Sequence, residues 1–197
     1  MDHGVRRASI RRLPGTAGAT LSGPVSAGPR LRKIVSGGQT GVDQAALRAA
    51  RAHGLAIGGW CPPGRVCEAG LIPSELPLRE TPRERSELAP DVPRSLRTEW
   101  NSRDSDATLI LRPSAFKARD PGTEWTAAAA RHYGRPILTW DPEEAPGSGP
   151  VAGWLVKLGV ETLHVAGPSE SARPGLGQAV ERFLSGLFER LRKRGPR

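Results

Sequence analysis

Long apolar runs are missing from this chain: nothing approaches the about eighteen consecutive apolar residues that a membrane-spanning helix needs. Cysteine is scarce as well. Cys61 and Cys67 are too few for a disulfide scaffold in 197 residues and point to a reducing compartment, and their five-residue gap without a neighbouring histidine argues against structural zinc. Aromatic residues make up only 5%, so the chain shows no basic stripe with interleaved aromatics on which a nucleic-acid strand would stack. An apolar secretory signal is absent too, because Arg6, Arg7, Arg11 and Arg12 interrupt the start of the chain. A cytoplasmic location is the expectation.

Charge is present in excess, +9 overall, but it is unevenly placed. Residues 1–33 hold seven Lys/Arg against one Asp, and residues 182–197 hold six against one Glu. The body between them is slightly acidic, with sixteen basic and eighteen acidic residues. Basic ends add weak, salt-sensitive attraction to polyanions, and a nucleic-acid partner is not expected from such a body. Residues 1–30, rich in Gly, Pro, Ser, Ala and Arg and without apolar period, read as a flexible basic leader. A transit peptide, an ordinary tail and a misplaced start codon all fit that composition. Residues 31–192 read as a single domain and 193–197 as a basic tail.

The stretch that organises the domain is Lys33-Ile34-Val35-Ser36-Gly37-Gly38-Gln39-Thr40-Gly41-Val42-Asp43, followed by an Ala-rich segment at helical spacing. It reads as strand, glycine turn and helix. Such a junction gathers unpaired backbone N–H groups and the positive end of a helix dipole, which favours phosphate or carboxylate. The spacing is neither a P-loop nor a dinucleotide fingerprint. A tight turn without ligand is the bland alternative, and the side chains of Gln39, Thr40 and Asp43 weigh against it.

Strand and helix signals then alternate. Strands are expected at 31–36, 55–60, 107–111, 136–140 and 162–166, with an edge strand at 76–81, and an irregular stretch over 61–70. Helices are expected at 42–53, around 93–101, and at 121–133, 151–158 and 175–192. The fold class is α/β: an open Rossmann-like, mainly parallel sheet with helices on both faces. Its ligand crevice lies beyond the carboxyl ends of the strands.

A second glycine–helix junction, Pro121-Gly122-Thr123-Glu124-Trp125-Thr126, repeats the logic of the first. Thr123 alone reads as a helix cap; paired with Gly37–Gly41 it reads as half of an anion clamp. Arg97 and Asn101 share a helix face, to bind ligand or each other. Asp104, Ser105 and Asp106 read as a strand entrance or as polar ligand contacts, and Glu124 as a dipole partner or a general acid. Trp60, Trp100 and Trp125 are expected near the rim, for core packing or for stacking on a heterocycle. The histidines, His164 among them, read as packed or surface residues.

From about 33 to 190 the chain resembles the molybdenum cofactor carrier family, within a Rossmann-like group that includes the lysine-decarboxylase-like nucleotide phosphoribohydrolases. The resemblance rests on Gly37-Gly38-Gln39-Thr40-Gly41-Val42-Asp43, Gly58-Gly59-Trp60-Cys61-Pro62 with Gly64, Arg97-Thr98 with Asn101 and Asp104-Ser105-Asp106, Gly122-Thr123 with Thr126, and Val165-Ala166-Gly167-Pro168 with Glu170 and Ser171. It implies homo-oligomers that bind the molybdenum cofactor, molybdopterin, by its phosphate in a rim pocket, with no assigned reaction. Pro121, Ser102, His164 and Ser169 depart from the pattern, and Pro121 removes one amide from the clamp.

The function expected is a non-catalytic carrier of a small phosphorylated heterocycle. The competing reading is a nucleoside-monophosphate N-glycosidase, with Glu124 or Asp43 stabilising a ribosyl cation. The related enzymes carry P-G-G-x-G-T-x-x-E, which Pro121-Gly122-Thr123-Glu124 matches in part.

Overall fold

The sheet is built from short apolar strands, four of which have an α-helix as the next element of the chain. The computed structural model describes residues 31–118, 120–144 and 147–194. The leader 1–30 and the last three residues of the tail lie outside the described residues. Five strands, β1 (Lys33–Val35), β2 (Ala56–Gly58), β7 (Ala107–Leu111), β8 (Ile137–Trp140) and β9 (Thr162–Ala166), form one parallel sheet in the order β2-β1-β9-β7-β8. The helices are α1 (Val42–Ala52), α2 (Ser95–Arg103), α3 (Pro121–His132), α4 (Gly149–Leu158) and α5 (Leu176–Arg194). The expected open, parallel, Rossmann-like class is the one observed.

Alternation along the strands divides the helices into two layers. Ile34, Leu109, Leu111, Leu163 and Val165 join one apolar core with α1, α4 and α5, in which Leu176, Val180, Leu184 and Leu187 form the buried stripe of α5. Each of these large side chains contributes about 1.5–3 kcal/mol on leaving water. Residues of the opposite parity, Thr108, Ile110 and His164, turn the other way, and Ser102 of α2 lies 3.2 Å from His164 Nδ1. There α2 and α3 pack on each other.

β9 is last in sequence but central in space. The connections leaving β1 and β7 therefore diverge on either side of it, which opens a crevice at the carboxyl end of the sheet. Read as if the chain began at β7, the order becomes 2-1-3-4-5, the flavodoxin-like winding.

Residues 55–81 depart from the expected layout. The strand expected over 55–60 divides at Gly59 (φ 128°), whose α-carbon lies so close to Ser36 that an added Cβ would sit 2.3 Å from the Ser36 carbonyl oxygen. Beyond it, β3 (Trp60–Cys61) leaves the main sheet and pairs in parallel with β6 (Arg79–Glu80), the remnant of the strand expected over 76–81. The stretch 61–70 is not wholly irregular. A short 3-10 turn at Pro63–Arg65 leads into a two-rung hairpin of β4 (Val66–Cys67) and β5 (Gly70–Leu71). Leu47, Cys61, Cys67, Ile72, Leu76 and Leu78 give this lobe its own small core, and both cysteines are free and buried there.

Candidate functional site

A cleft of about 520 Å³ opens over the carboxyl ends of β9 and its neighbours. That volume suits a small organic ligand. His164, Ala166 and Gly167 of β9 and its exit form the floor. Gln39 and Asp43 enter from the β1–α1 junction, Arg94, Arg97 and Thr98 from the start of α2, and Gly122, Thr123 and Thr126 from the start of α3. Three helix N-termini meet there, where the sequence suggested two.

At the first junction the protein itself answers the backbone N–H groups of Gln39, Thr40 and Val42. The Asp43 carboxylate accepts the Gln39 N–H at 3.2 Å and the Arg97 Nη1 at 2.5 Å. Gln39 Oε1 accepts the N–H groups of Thr40 and Glu68, at 3.0 and 2.9 Å. The Val42 N–H donates to the Pro168 carbonyl at 3.3 Å. The glycines make room for protein rather than for an anion. A Cβ on Gly37 would strike the Arg97 guanidinium, one on Gly38 would strike Leu78 and Ile72, and one on Gly41 would lie 2.6 Å from the Glu170 nitrogen. Gly37, Gly38, Thr40 and Gly41 thus stand outside the cleft wall.

Thr40 faces a separate groove, with Glu68 from the β4–β5 turn and Glu170 and Ser171 from the loop after β9. Partial burial pushes the Glu68 carboxyl upward. Hydrogen bonds from Ser171, Thr40 and Ser169 outweigh it and hold the group at about 2. Glu68 therefore keeps its charge well below the ordinary carboxylate range, and pins the β1 and β9 loops together.

The α3 terminus has an N-cap that the sequence reading missed. Asp120 accepts the Thr123 N–H at 3.1 Å and its hydroxyl at 2.7 Å, with Pro121 in the first helical position. Asp followed by Pro at a helix start was the available signal. Thr126 Oγ1 donates back to the Gly122 carbonyl at 3.0 Å. Among the described residues, the Gly122 N–H is the amide of this turn left for a ligand.

The remaining predicted residues lie elsewhere, and Asp104, Ser105 and Asp106 are the largest displacement. They precede β7, and in a parallel sheet that puts them at the amino edge, about 17 Å of strand from the cleft. Asp106 Oδ2 accepts the N–H groups of Glu161 and Thr162, at 3.0 and 2.7 Å, so it ties β9 to β7. Ser105 Oγ donates to the Ser102 carbonyl. Asp104 accepts the Trp60 Nε1–H at 2.7 Å and pairs with Arg103. Asn101 does not meet Arg97; its amide clamps the Trp60 N–H and carbonyl, both at 2.9 Å. Trp60 packs edge-on against Trp100, and Trp125 donates to the Ser95 carbonyl, so the aromatic on the cleft wall is Phe116 instead. Glu124 is exposed and outside the wall.

Of the packed and surface roles that the sequence leaves open for His164, the structure shows a packed one, buried at the cleft floor without an opposite charge beside it. Burial, with the nearby Arg97 cation adding to it, pushes its imidazole down to about 3. It stays neutral at physiological pH, a polar but uncharged floor beneath Arg97. A β-strand periodicity with a histidine at a buried position was the only hint that it would reach the cleft.

The strand order and the rim cleft define the class: a doubly wound Rossmann-like domain with a ligand crevice at the switch point. The family model for the circularly permutated YpsA SLOG family matches residues 34–188, and the chain belongs to that family. The permutation is visible in the strand order itself. A crystal structure described as a "putative molybdenum carrier protein" from Syntrophus aciditrophicus SB is similar, with 35% identity over 82% of this chain and 96% of that one, and a TM-score of 0.69. No curated protein matches the chain. Among the described residues, no helix is long and apolar enough to cross a membrane.

Proposed function

We propose that the cleft holds a small phosphorylated heterocycle, the molybdenum cofactor first among candidates, and that the protein is a carrier of it rather than an enzyme. The observation that carries this reading is the meeting of Arg97, Gly122 and the neutral His164 in one cleft with residues from three helix starts. A guanidinium and a free amide suit a phosphoryl group, while Gln39, Thr98 and the Asp43 carboxylate offer polar contacts to ring nitrogens. Phe116 supplies an aromatic surface.

The donor set fits the pterin and its phosphate better than a bare metal. Cys61 and Cys67 are buried in the small core of residues 59–81 and line no part of the cleft, so molybdenum would arrive held by the pterin thiolates, not by protein sulfur. The molybdenum carrier named above, similar over most of both chains, supports this cargo. A homo-oligomer in the cytoplasm completes the reading.

Nothing in the geometry favours the N-glycosidase reading. Glu124 lies off the cleft wall and Asp43 is held by Arg97. The test is thermal stabilisation, since a ligand at a hundred times its Kd adds about 2.7 kcal/mol to a native state it binds selectively. The carrier reading expects a rise in Tm with molybdopterin or a nucleoside monophosphate, and no free base released on incubation. No shift at millimolar ligand sinks it.

A further inference from the structure

Among the described residues, two other than glycine hold a left-handed backbone, Arg65 (φ 51°) and Arg94 (φ 56°). That region crowds Cβ against the neighbouring carbonyl, so a residue other than glycine stays there only when something compensates. For Arg65 the compensation is visible. Its guanidinium donates to the carbonyls of Leu78, Leu76 and Pro73, at 2.7, 2.9 and 3.2 Å, and stitches residues 59–81 together.

Arg94 has no such return. Its side chain makes no hydrogen bond or ion pair with any described residue. As the N-cap of α2 it is a poor choice, since it offers no side-chain oxygen to the first turn, where Asn, Asp or Gly would serve better. What it does have is a place on the cleft wall, one helical turn before Arg97. Arg97 gives one arm to Asp43, and its buried Nε has no protein partner. The other acidic groups of the wall are Glu84 and Asp120, the second already engaged by Thr123.

We propose that Arg94 is a ligand-binding residue whose guanidinium, beside that of Arg97, takes a phosphoryl group of the bound molecule. The left-handed backbone is the stability given up to place it there. This rests on the reading of the cleft as a phosphoryl-ligand site and adds a second cation to it. A guanidinium fork matches phosphoryl oxygens bidentately, which an ammonium does not. The cleft should accordingly favour phosphorylated forms over their dephosphorylated counterparts.

The experiment uses the full chain with inorganic pyrophosphate, AMP and adenosine as calorimetric probes, and thermal unfolding of each variant. Arg94→Gly and Arg94→Asn, both tolerant of the left-handed region, should lose tenfold or more in affinity for pyrophosphate and AMP, with Arg94→Lys between them and wild type. Arg94→Gly should melt at the wild-type temperature or about 2 °C above it. Unchanged affinity in Arg94→Gly and Arg94→Asn overturns the proposal and leaves the cleft reading standing. A fall in Tm in both variants marks a structural role and also overturns it. Failure of the wild type to bind either phosphorylated probe overturns the proposal as well, and the carrier reading then falls only if molybdopterin also leaves the Tm unchanged.

Discussion

The two glycine–helix junctions look alike in sequence and differ in what their glycines do. At the first, Gly41 (φ 71°) is where the chain passes the loop after β9, with Glu170 and Ser169 backbone atoms filling the space a side chain would take. At the second, Gly122 lies within α3, and a Cβ there would meet only Asp120 Oδ1, at 3.4 Å. The first is a packing joint in which protein takes the Gln39, Thr40 and Val42 amides and the glycines stand off the cleft wall; the second keeps one amide open beside the cleft. Adjacent glycines in a strand-to-helix turn thus mark close approach, and the approaching group here is protein.

Substitution at the two glycines should separate these roles most sharply. Gly41→Ala combines a disfavoured φ with a backbone clash, and we expect a loss of about 3–4 kcal/mol in urea unfolding. A loss under 1 kcal/mol would mean that the two loops part easily and that the first junction is less closed than described.

The floor shared by both junctions gives the next effect. Because His164 is held near 3 when folded and returns to its ordinary value near 6.5 when unfolded, the unfolded chain takes up a proton that the native protein refuses. Stability contributed by the neutral ring is complete above about pH 6.5 and falls as pH drops toward 3, by about 1.4 kcal/mol per unit for this one group. His164→Asn should flatten that slope between pH 6 and 4. An unaltered slope would show that the floor is wetter than its burial indicates.

Smaller changes belong to the second junction. Asp120→Ala removes the cap of α3 and should cost about 1 kcal/mol, read by denaturation, with faster amide exchange at Thr123. Gly122→Ala should have the opposite sign and stabilise by about 0.5 kcal/mol, since it replaces glycine within a helix where space is free. If it destabilises, the second junction is as crowded as the first and the contrast fails.

Much of the fold could be read from the chain. The five sheet strands and the helices fall near their expected bounds because apolar period and Gly or Pro punctuation are local properties. The lobe of residues 55–81 departs from expectation at Gly59, where a close approach to Ser36, distant in sequence, turns one expected strand into two short ones. Arg97 meets Asp43 across 54 positions of sequence, and no spacing rule anticipates that pair. The Asp120 cap has a local signal, Asp followed by Pro at a helix start.

The amino-acid sequence by itself determined the alternation of strands and helices, the parallel sheet, and the positions of the two glycine turns, because each follows from neighbours within a few residues. Only the tertiary structure decided which polar groups share a space. It inserted the last strand between the first and the third, and so brought Arg94, Arg97, Gly122 and His164 to one cleft while leaving Asp104 and Asp106 at the opposite edge. Strand order sets which ends lie side by side, and that order depends on the packing of the whole sheet rather than on any local stretch of chain.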